Sequence, residues 1–443
     1  MSRRWLALCR HFLGPNGRCV GAALLLVLGS AAACAQAEPD PPEAEPAWRF
    51  NPALEVWGYG TSNQRTSDSL LNPGNRVARL AQNQALLDAR LNLRWQTPGV
   101  DVLLSPRLLE QQDQIAFSGG NTASVRTGSL RLNQGFMRVQ VGTQALTLGR
   151  ELFTWGPANF RSPSNPFYFD AGRTNPLAAP PGIDLVRSTY SQGNWRATAA
   201  YVASTSPLTP ALDAGHTVLI KLDQQGSSYL ASLIASQGRG DAAFVGGFAQ
   251  FTPDDAWLVY GEWGEGPSAY QLWPATDTPP PFYTVQQPGL HQRTQLLGAS
   301  RTLDNGHILA AEYLHNASGY SSAEQGLYFA QARAAAALTH SAQASQAYRA
   351  LGQALAYAPR LLGRDYLWLS WQSNPQQSAL YWRAEWVCQS PDRSCQTLLY
   401  LERNFQPRLS GFVSLTHHLG DAQTEYGALL RNRLTLGLKL FAL

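Results

Sequence analysis

From about residue 48 to its end the chain runs in segments of about ten residues in which polar and apolar positions alternate. The clearest is Ala85 to Gln96. Leu87, Ala89, Leu91, Leu93 and Trp95 fall on one side of it, and Asp88, Arg90, Asn92, Arg94 and Gln96 on the other. A period of two is that of a β-strand with one apolar and one polar face. Repeated around a closed sheet, it predicts an all-β transmembrane antiparallel β-barrel, greasy outside and wet inside.

Strands are expected near 49–60, 84–96, 100–112, 129–141, 144–156, 183–191, 194–204, 215–224 and 228–236. They continue near 242–252, 256–264, 293–303, 306–316, 365–373, 378–388, 395–405, 409–419 and 426–442, about eighteen in all. The gaps alternate in length. Short ones carry turn chemistry, as at Thr97-Pro98-Gly99, Gly142-Thr143 and Gln225-Gly226, and mostly longer ones lie between. Short turns on one rim and long loops on the other, with an even strand number, is the outer-membrane pattern. With the N-terminus in the periplasm, Trp95, Trp195, Trp257 and Trp371 fall near the inner rim. Trp155, Trp263 and Trp386 then fall near the outer one, as two aromatic belts.

The alternation lapses in two neighbouring strands. Leu130 and Leu132 share a parity that Met137, Val139 and Val141 do not, so a slip falls near Gly135. Arg150 follows Leu146 and Leu148 at the same parity, and a bulge at Gly149 would turn it inward. Two long gaps also stand out. The gap at 157–182 holds Phe160, Phe167, Tyr168 and Phe169, too apolar for water. It is expected either to fold into the lumen or to pack on a neighbouring loop. Its constriction candidates are Arg161, Asn165, Phe167 and Asp170. The gap at 317–363 is rich in Ala, Gln and Leu at helical spacing and predicts a helical extracellular insertion, either over the pore or against the rim.

The first residues change the charge picture. Arg3, Arg4, Arg10 and Arg18, an apolar run from Val20 to Ala33 and Ala35-Gln36-Ala37 read as a signal peptide over 1–37, cleaved near Ala37. Lipidation at Cys34 is the rival processing. Residues 38–47 (EPDPPEAEPA) read as a Pro/Glu-rich periplasmic linker, and 48–443 as the barrel. The net charge of +4 belongs to the signal, since removing it leaves 30 basic against 30 acidic residues. Nothing points to nucleic acid. Of five cysteines, Cys388 and Cys395 remain, at the two ends of a short loop between strands, where a disulfide would staple a hairpin.

For a channel, chemistry means the side chains that line the pore. Parity points inward Asp88, Arg90, Arg94, Arg131, Arg138, Arg150, Arg187, Lys221, Asp223, Glu262, Glu312, Arg383, Glu385, Glu402, Arg431 and Arg433. The earlier strands and the last are rich in arginine, and the later ones contribute more glutamate. Basic and acidic walls of this kind set a transverse field that favours dipolar or anionic solutes, unless the charges simply cancel in pairs. No metal spacing, Gly-x-Ser-x-Gly elbow, His-Glu-x-x-His, Walker loop or Gly-x-Gly-x-x-Gly occurs, so neither an enzyme nor a cofactor is expected.

Gly149-Arg150-Glu151-Leu152-Phe153-Thr154-Trp155-Gly156, then Ser164-Asn165-Pro166 and Pro181-Gly182-Ile183-Asp184, resemble large Gram-negative outer-membrane porin-like proteins. The nearest group is that of alginate-export and related porin-like barrels. The motif covers about 40 residues, beyond which the match is one of architecture. The resemblance implies passive passage of a polar or anionic solute or of a polysaccharide, with Arg150 as an inward pore residue. The chain departs from such barrels in closing Phe441-Ala442-Leu443 rather than on an aromatic residue. The expected partners are outer-membrane lipid, the solute and the barrel-assembly machinery. The alternative function is a plugged surface barrel that binds extracellular polysaccharide without conducting.

Overall fold

Alternation of this kind closes into a barrel when its first and last strands pair, and here they do: Leu54 to Arg65 run antiparallel to Ala442 to Leu430. The computed structural model describes residues 48–204, 215–239, 243–267, 271–273, 284–286, 291–374 and 379–442. The expected signal peptide and linker lie outside the described residues. The strands are β1 Arg49–Arg65, β2 Asn83–Gln96, β3 Val100–Ala116, β4 Thr122–Val141, β5 Gln144–Glu151, β6 Ile183–Gln192, β7 Trp195–Ser204, β8 Thr217–Gln225, β9 Tyr229–Gln237 and β10 Ala243–Asp254. Then come β11 Trp257–Pro267, β12 Gln271–Trp273, β13 Thr284–Gln286, β14 His291–Thr302, β15 Ile308–Asn316, β16 Asp365–Gln372, β17 Leu380–Gln389, β18 Cys395–Gln406, β19 Leu409–Leu419 and β20 Leu430–Ala442. All but the small β12–β13 hairpin form one closed antiparallel sheet of 18 strands.

The outward parity carries the apolar belt. Leu130, Ile220, Leu233, Leu297, Leu436 and Leu438 all stand exposed on it. An exposed apolar surface of this extent is stable only when something apolar covers it, as the hydrocarbon of a bilayer does. Trp195, Trp257, Trp371 and Trp386 are exposed too, and Trp95 stacks on Phe50. Trp155 is different: it is buried within the lumen, because β5 ends at Glu151 and 152–156 leave the wall. The stretch between the strands expected near 100–112 and 129–141 is the top of a hairpin, with β3 and β4 paired out to Ala116 and Thr122.

Both lapses in parity have a local cause. The β3–β4 register shifts between Ser105 and Pro106, and Asn133 is the residue passed over. Proline has no N–H to give the ladder, so a bulge opposite it removes the mismatch and flips the parity of the residues beyond it. No bulge occurs at Gly149, where β4 and β5 stay in register. Its backbone has φ +126°, and a Cβ there would lie 2.3 Å from the Gly135 carbonyl oxygen. Arg150 therefore keeps the outward face of Leu148 and Met137. Its guanidinium makes two bonds of 2.7 Å to Asp184, its register partner, rather than turning into the lumen.

Outside the wall, the 317–364 insertion forms helices α1 Ser322–Ala337 and α2 Ala344–Tyr357. A capping box of Ser321 and Glu324 starts α1. Tyr328, Phe329, Ala332, Ala350, Leu351 and Ala354 form a core of their own, which Leu362 of the same insertion and Leu71, Leu272 and Ala428 from three other connections complete. The insertion is thus an external cap built jointly with its neighbouring loops. A disulfide joins Cys388 and Cys395, which face each other across the β17–β18 ladder.

Candidate functional site: the lumen and its constriction

The loop 152–182 enters the barrel. Phe153, Trp155 and Phe167 pack together, with ring centroids 4.9 to 6.4 Å apart, against Leu185, Val202, Leu219, Ile234 and Phe248 on the inner wall. Further along, Phe160 joins Tyr260, Leu296, Leu314, Tyr366, Trp368 and Val387. Burying this many aromatic side chains fixes the path of the loop across the lumen.

Two wall carboxylates hold the loop by its backbone. Glu262 on β11 accepts the N–H of Ala158 at 2.8 Å and the hydroxyls of Ser162 and Ser164 at 2.8 and 2.7 Å. Glu312 on β15 accepts the N–H groups of Asn159 and Phe160 at 2.6 and 2.7 Å and the Tyr260 hydroxyl at 2.5 Å. Gly156 permits this approach: its φ is +86°, and a Cβ would lie 2.4 Å from the Glu262 carboxylate. At its return the loop is gripped by the β4 bulge, where the Asn133 carbonyl accepts the Gly182 N–H at 2.8 Å.

Within the loop, Asn165 and Phe167 act on the loop's own shape. The Asn165 side chain accepts the N–H groups of Phe167 and Tyr168, and Phe167 is buried in the aromatic cluster. Burial also pushes the Tyr168 hydroxyl to a higher pKa while it donates to the Pro181 carbonyl. Arg161 and Asp170 lie 3.3 Å apart, with the Asp170 side chain 45% exposed.

The basic wall is built in two tiers. In the upper one Arg90, Arg107 and Arg131 are direct register neighbours on β2, β3 and β4. Asp88 accepts a bidentate pair from Arg107 and two further bonds from Arg90 on one of its oxygens, at 2.6 to 2.9 Å. Arg131 has no carboxylate partner among the described residues, and its Nε is buried without an acceptor. Three guanidinium groups around one carboxylate leave a local excess of positive charge. Arg107 also donates to the Ala179 carbonyl at 3.1 Å, so the row adjoins the constriction loop.

In the lower tier Arg94 bonds Asp101 at 2.8 Å, and Arg138 and Arg187 bond Glu151 at 2.5 and 2.8 Å. Beneath the start of the loop, Arg187, Arg196, Lys221, Asp223 and Glu151 share a cavity of about 830 Å³ with Phe153 and Trp155. Lys221 is paired with Asp223.

The remaining candidates are bound into the wall. Glu385 pairs with Arg383 and accepts the Trp368 indole N–H at 3.1 Å. Glu402 accepts Lys439 at 2.7 Å. Arg433 donates to Asn63 at 3.0 Å, and Arg431 to the Gly420 carbonyl. The two walls of opposite sign are therefore unequal in role, since Glu262 and Glu312 are consumed in anchoring the loop. Arg107, Glu151, Asp101 and Lys439 were absent from the expected set. Arg107 was legible, bracketed by the outward Leu104 and Leu108, whereas Glu151 was hidden by the inward turn expected of Arg150.

No family model matches this chain, and no curated protein sequence matches it. Solved structures do share its fold. Acinetobacter baumannii OccAB1 aligns with a TM-score of 0.54 at 10% identity, covering 89% of this chain and 96% of that one. Pseudomonas aeruginosa OccK7 (OpdD) aligns at 0.53 and 10% identity, covering 89% and 98%. Pseudomonas aeruginosa OpdK, solved with vanillate, aligns at 0.51 and 10% identity, again covering 89% and 98%. At such identity the likeness is one of fold.

Proposed function

We propose that the chain is a porin-like channel of the bacterial outer membrane through which small polar solutes diffuse passively, anionic ones preferred. The observation that carries this reading is the Arg90–Arg107–Arg131 row, three cations with one carboxylate, standing beside the loop that crosses the lumen. In a space walled by protein such a row raises the local concentration of anions and offers fork-shaped donors to a carboxylate. The outward leucine belt supports the membrane setting, with lipid and the barrel-assembly machinery as partners. The barrels that share its fold are outer-membrane porins.

Polysaccharide passage, and with it the alginate-export resemblance, has less to rest on. A loop tied to β11 and β15 crosses the lumen, which favours small solutes over a polymer. The plugged-barrel alternative draws support from the aromatic cluster around Phe167 and the external cap. Liposome swelling distinguishes the readings. Small monocarboxylates are expected to enter faster than organic cations of equal size, and oligosaccharides hardly at all. Equal rates for the two charge classes would remove the anionic preference.

A further inference from the structure

Among the contacts that fasten the cap to the rim is one carboxylate. Glu425 lies in the loop 420–429 between β19 and β20. One oxygen accepts the Leu362 N–H at 3.1 Å, just beyond α2, and the other accepts the Tyr366 hydroxyl on β16. That hydroxyl in turn accepts the Gly363 N–H at 2.7 Å. The backbone N–H of Glu425 donates to Asp392 at 2.7 Å, in the turn closed by the Cys388–Cys395 disulfide. Just after it the same loop enters the cap: Ala428 lies in the helical core, and the Thr66 hydroxyl donates to the Gly427 carbonyl at 2.6 Å. Leu361, next to the latched segment, packs in the cluster that holds Phe160 of the constriction loop.

We propose that Glu425 is a proton-operated latch that fastens the cap to the rim when neutral and loosens it when ionised. Its burial without a cation and the nearby Asp392 favour the neutral form, outweighing the donors Leu362 and Tyr366, which favour the ionised one. Asp392 presents a like charge from the β17–β18 turn, and Tyr366 and the neighbouring Tyr426 are uncharged. Arg161 of the constriction loop acts on Tyr426, and Arg364 is engaged with Glu324. No cation pairs with Glu425 among the described residues. A neutral carboxyl keeps both bonds, accepting from Leu362 and donating to Tyr366, whose hydroxyl can rotate. An ionised one keeps them too but holds an uncompensated charge against Asp392. Burial beneath the cap, together with Asp392, pushes its carboxyl up to about 7.

For an acid whose pKa is raised in the closed state, the added stability is complete below the ordinary value. It fades as pH rises toward the closed-state value and is gone above it. The window here runs from 4.5 to about 7. The opening constant should rise about tenfold per pH unit inside that window and level off above it.

The test is hydrogen–deuterium exchange of the full mature protein in nanodiscs, followed by mass spectrometry across the window. Rates are corrected for the intrinsic pH dependence of exchange, with strand peptides as the internal reference. Peptides from 317–364 and 420–429 are expected to lose protection as pH rises, and Glu425→Gln is expected to flatten that profile. Should that variant fail to assemble, Asp392→Asn serves, since removing the like charge should move the midpoint to lower pH. A flat wild-type profile, an unchanged slope in Glu425→Gln or an unmoved midpoint in Asp392→Asn would overturn the latch. The readout requires no conduction, so it is decided separately from the channel reading.

Discussion

The Glu312 carboxylate on β15 accepts the backbone N–H of Phe160 at 2.7 Å, tying a loop rooted on β5 and β6 to a distant arc of the wall. With Glu262 it gives the loop two charge-assisted anchors to main-chain groups, bonds that depend on the wall carboxylates and not on the identity of the loop side chains. Replacing Glu312 by Ala leaves two N–H groups without acceptors and should weaken loop docking by about 3 kcal/mol. The expected readout is a larger and noisier single-channel conductance with an unchanged melting temperature for the barrel. A conductance equal to wild type would mean that the aromatic cluster alone holds the loop.

Charge reversal probes the basic row. Arg131→Glu places a carboxylate beside Arg107 and cancels the local excess, so the reversal potential in a salt gradient should shift toward cations. Arg150→Glu, on the outer face beside Asp184, should leave selectivity unchanged and cost stability instead. If Arg150→Glu shifted selectivity and Arg131→Glu did not, the assignment of faces would be wrong.

The outward belt can be tested at Leu297, which is 68% exposed. If lipid covers it, Leu297→Arg should cost about 2–4 kcal/mol in the apparent folding free energy measured in vesicles, the cost of arginine near the bilayer midplane. A neutral result would place that position outside the hydrocarbon.

The disulfide closes a short loop, with its cysteines seven positions apart. Reduction, or Cys388→Ser with Cys395→Ser, should destabilise the rim by about 2 kcal/mol and leave the barrel assembled. Limited proteolysis of residues 390–394 with and without reductant reads this directly.

Much of the fold was legible because a barrel wall repeats one rule, side chains alternating between lipid and lumen. All eighteen barrel strands were placed that way. The rule fails where the chain leaves the wall. Leu152 to Gly156 continue the pattern of β5 yet leave the wall, and Phe153 and Trp155 pack in the cluster the loop builds inside the barrel. Arg150 was misread for a related reason: a guanidinium at outward parity looks like a violation until Asp184 is known to face it. That partner is 34 residues away, and no local period carries a cross-strand pairing. The consumption of Glu262 and Glu312 by backbone N–H groups was hidden in the same way, because a sequence does not display which main-chain donors lack partners. Only the slip near Gly135 gave warning, and it proved to be the Asn133 bulge that grips the end of the loop.

The central claim is that the loop narrows a conducting lumen beside a basic wall without sealing it. Planar-bilayer recording of the mature protein tests it most directly. Discrete conductance steps with an anion-selective reversal potential are predicted, and larger steps when Glu262 and Glu312 are both changed to Ala. No steps in either protein would contradict it and leave the barrel a plugged surface receptor.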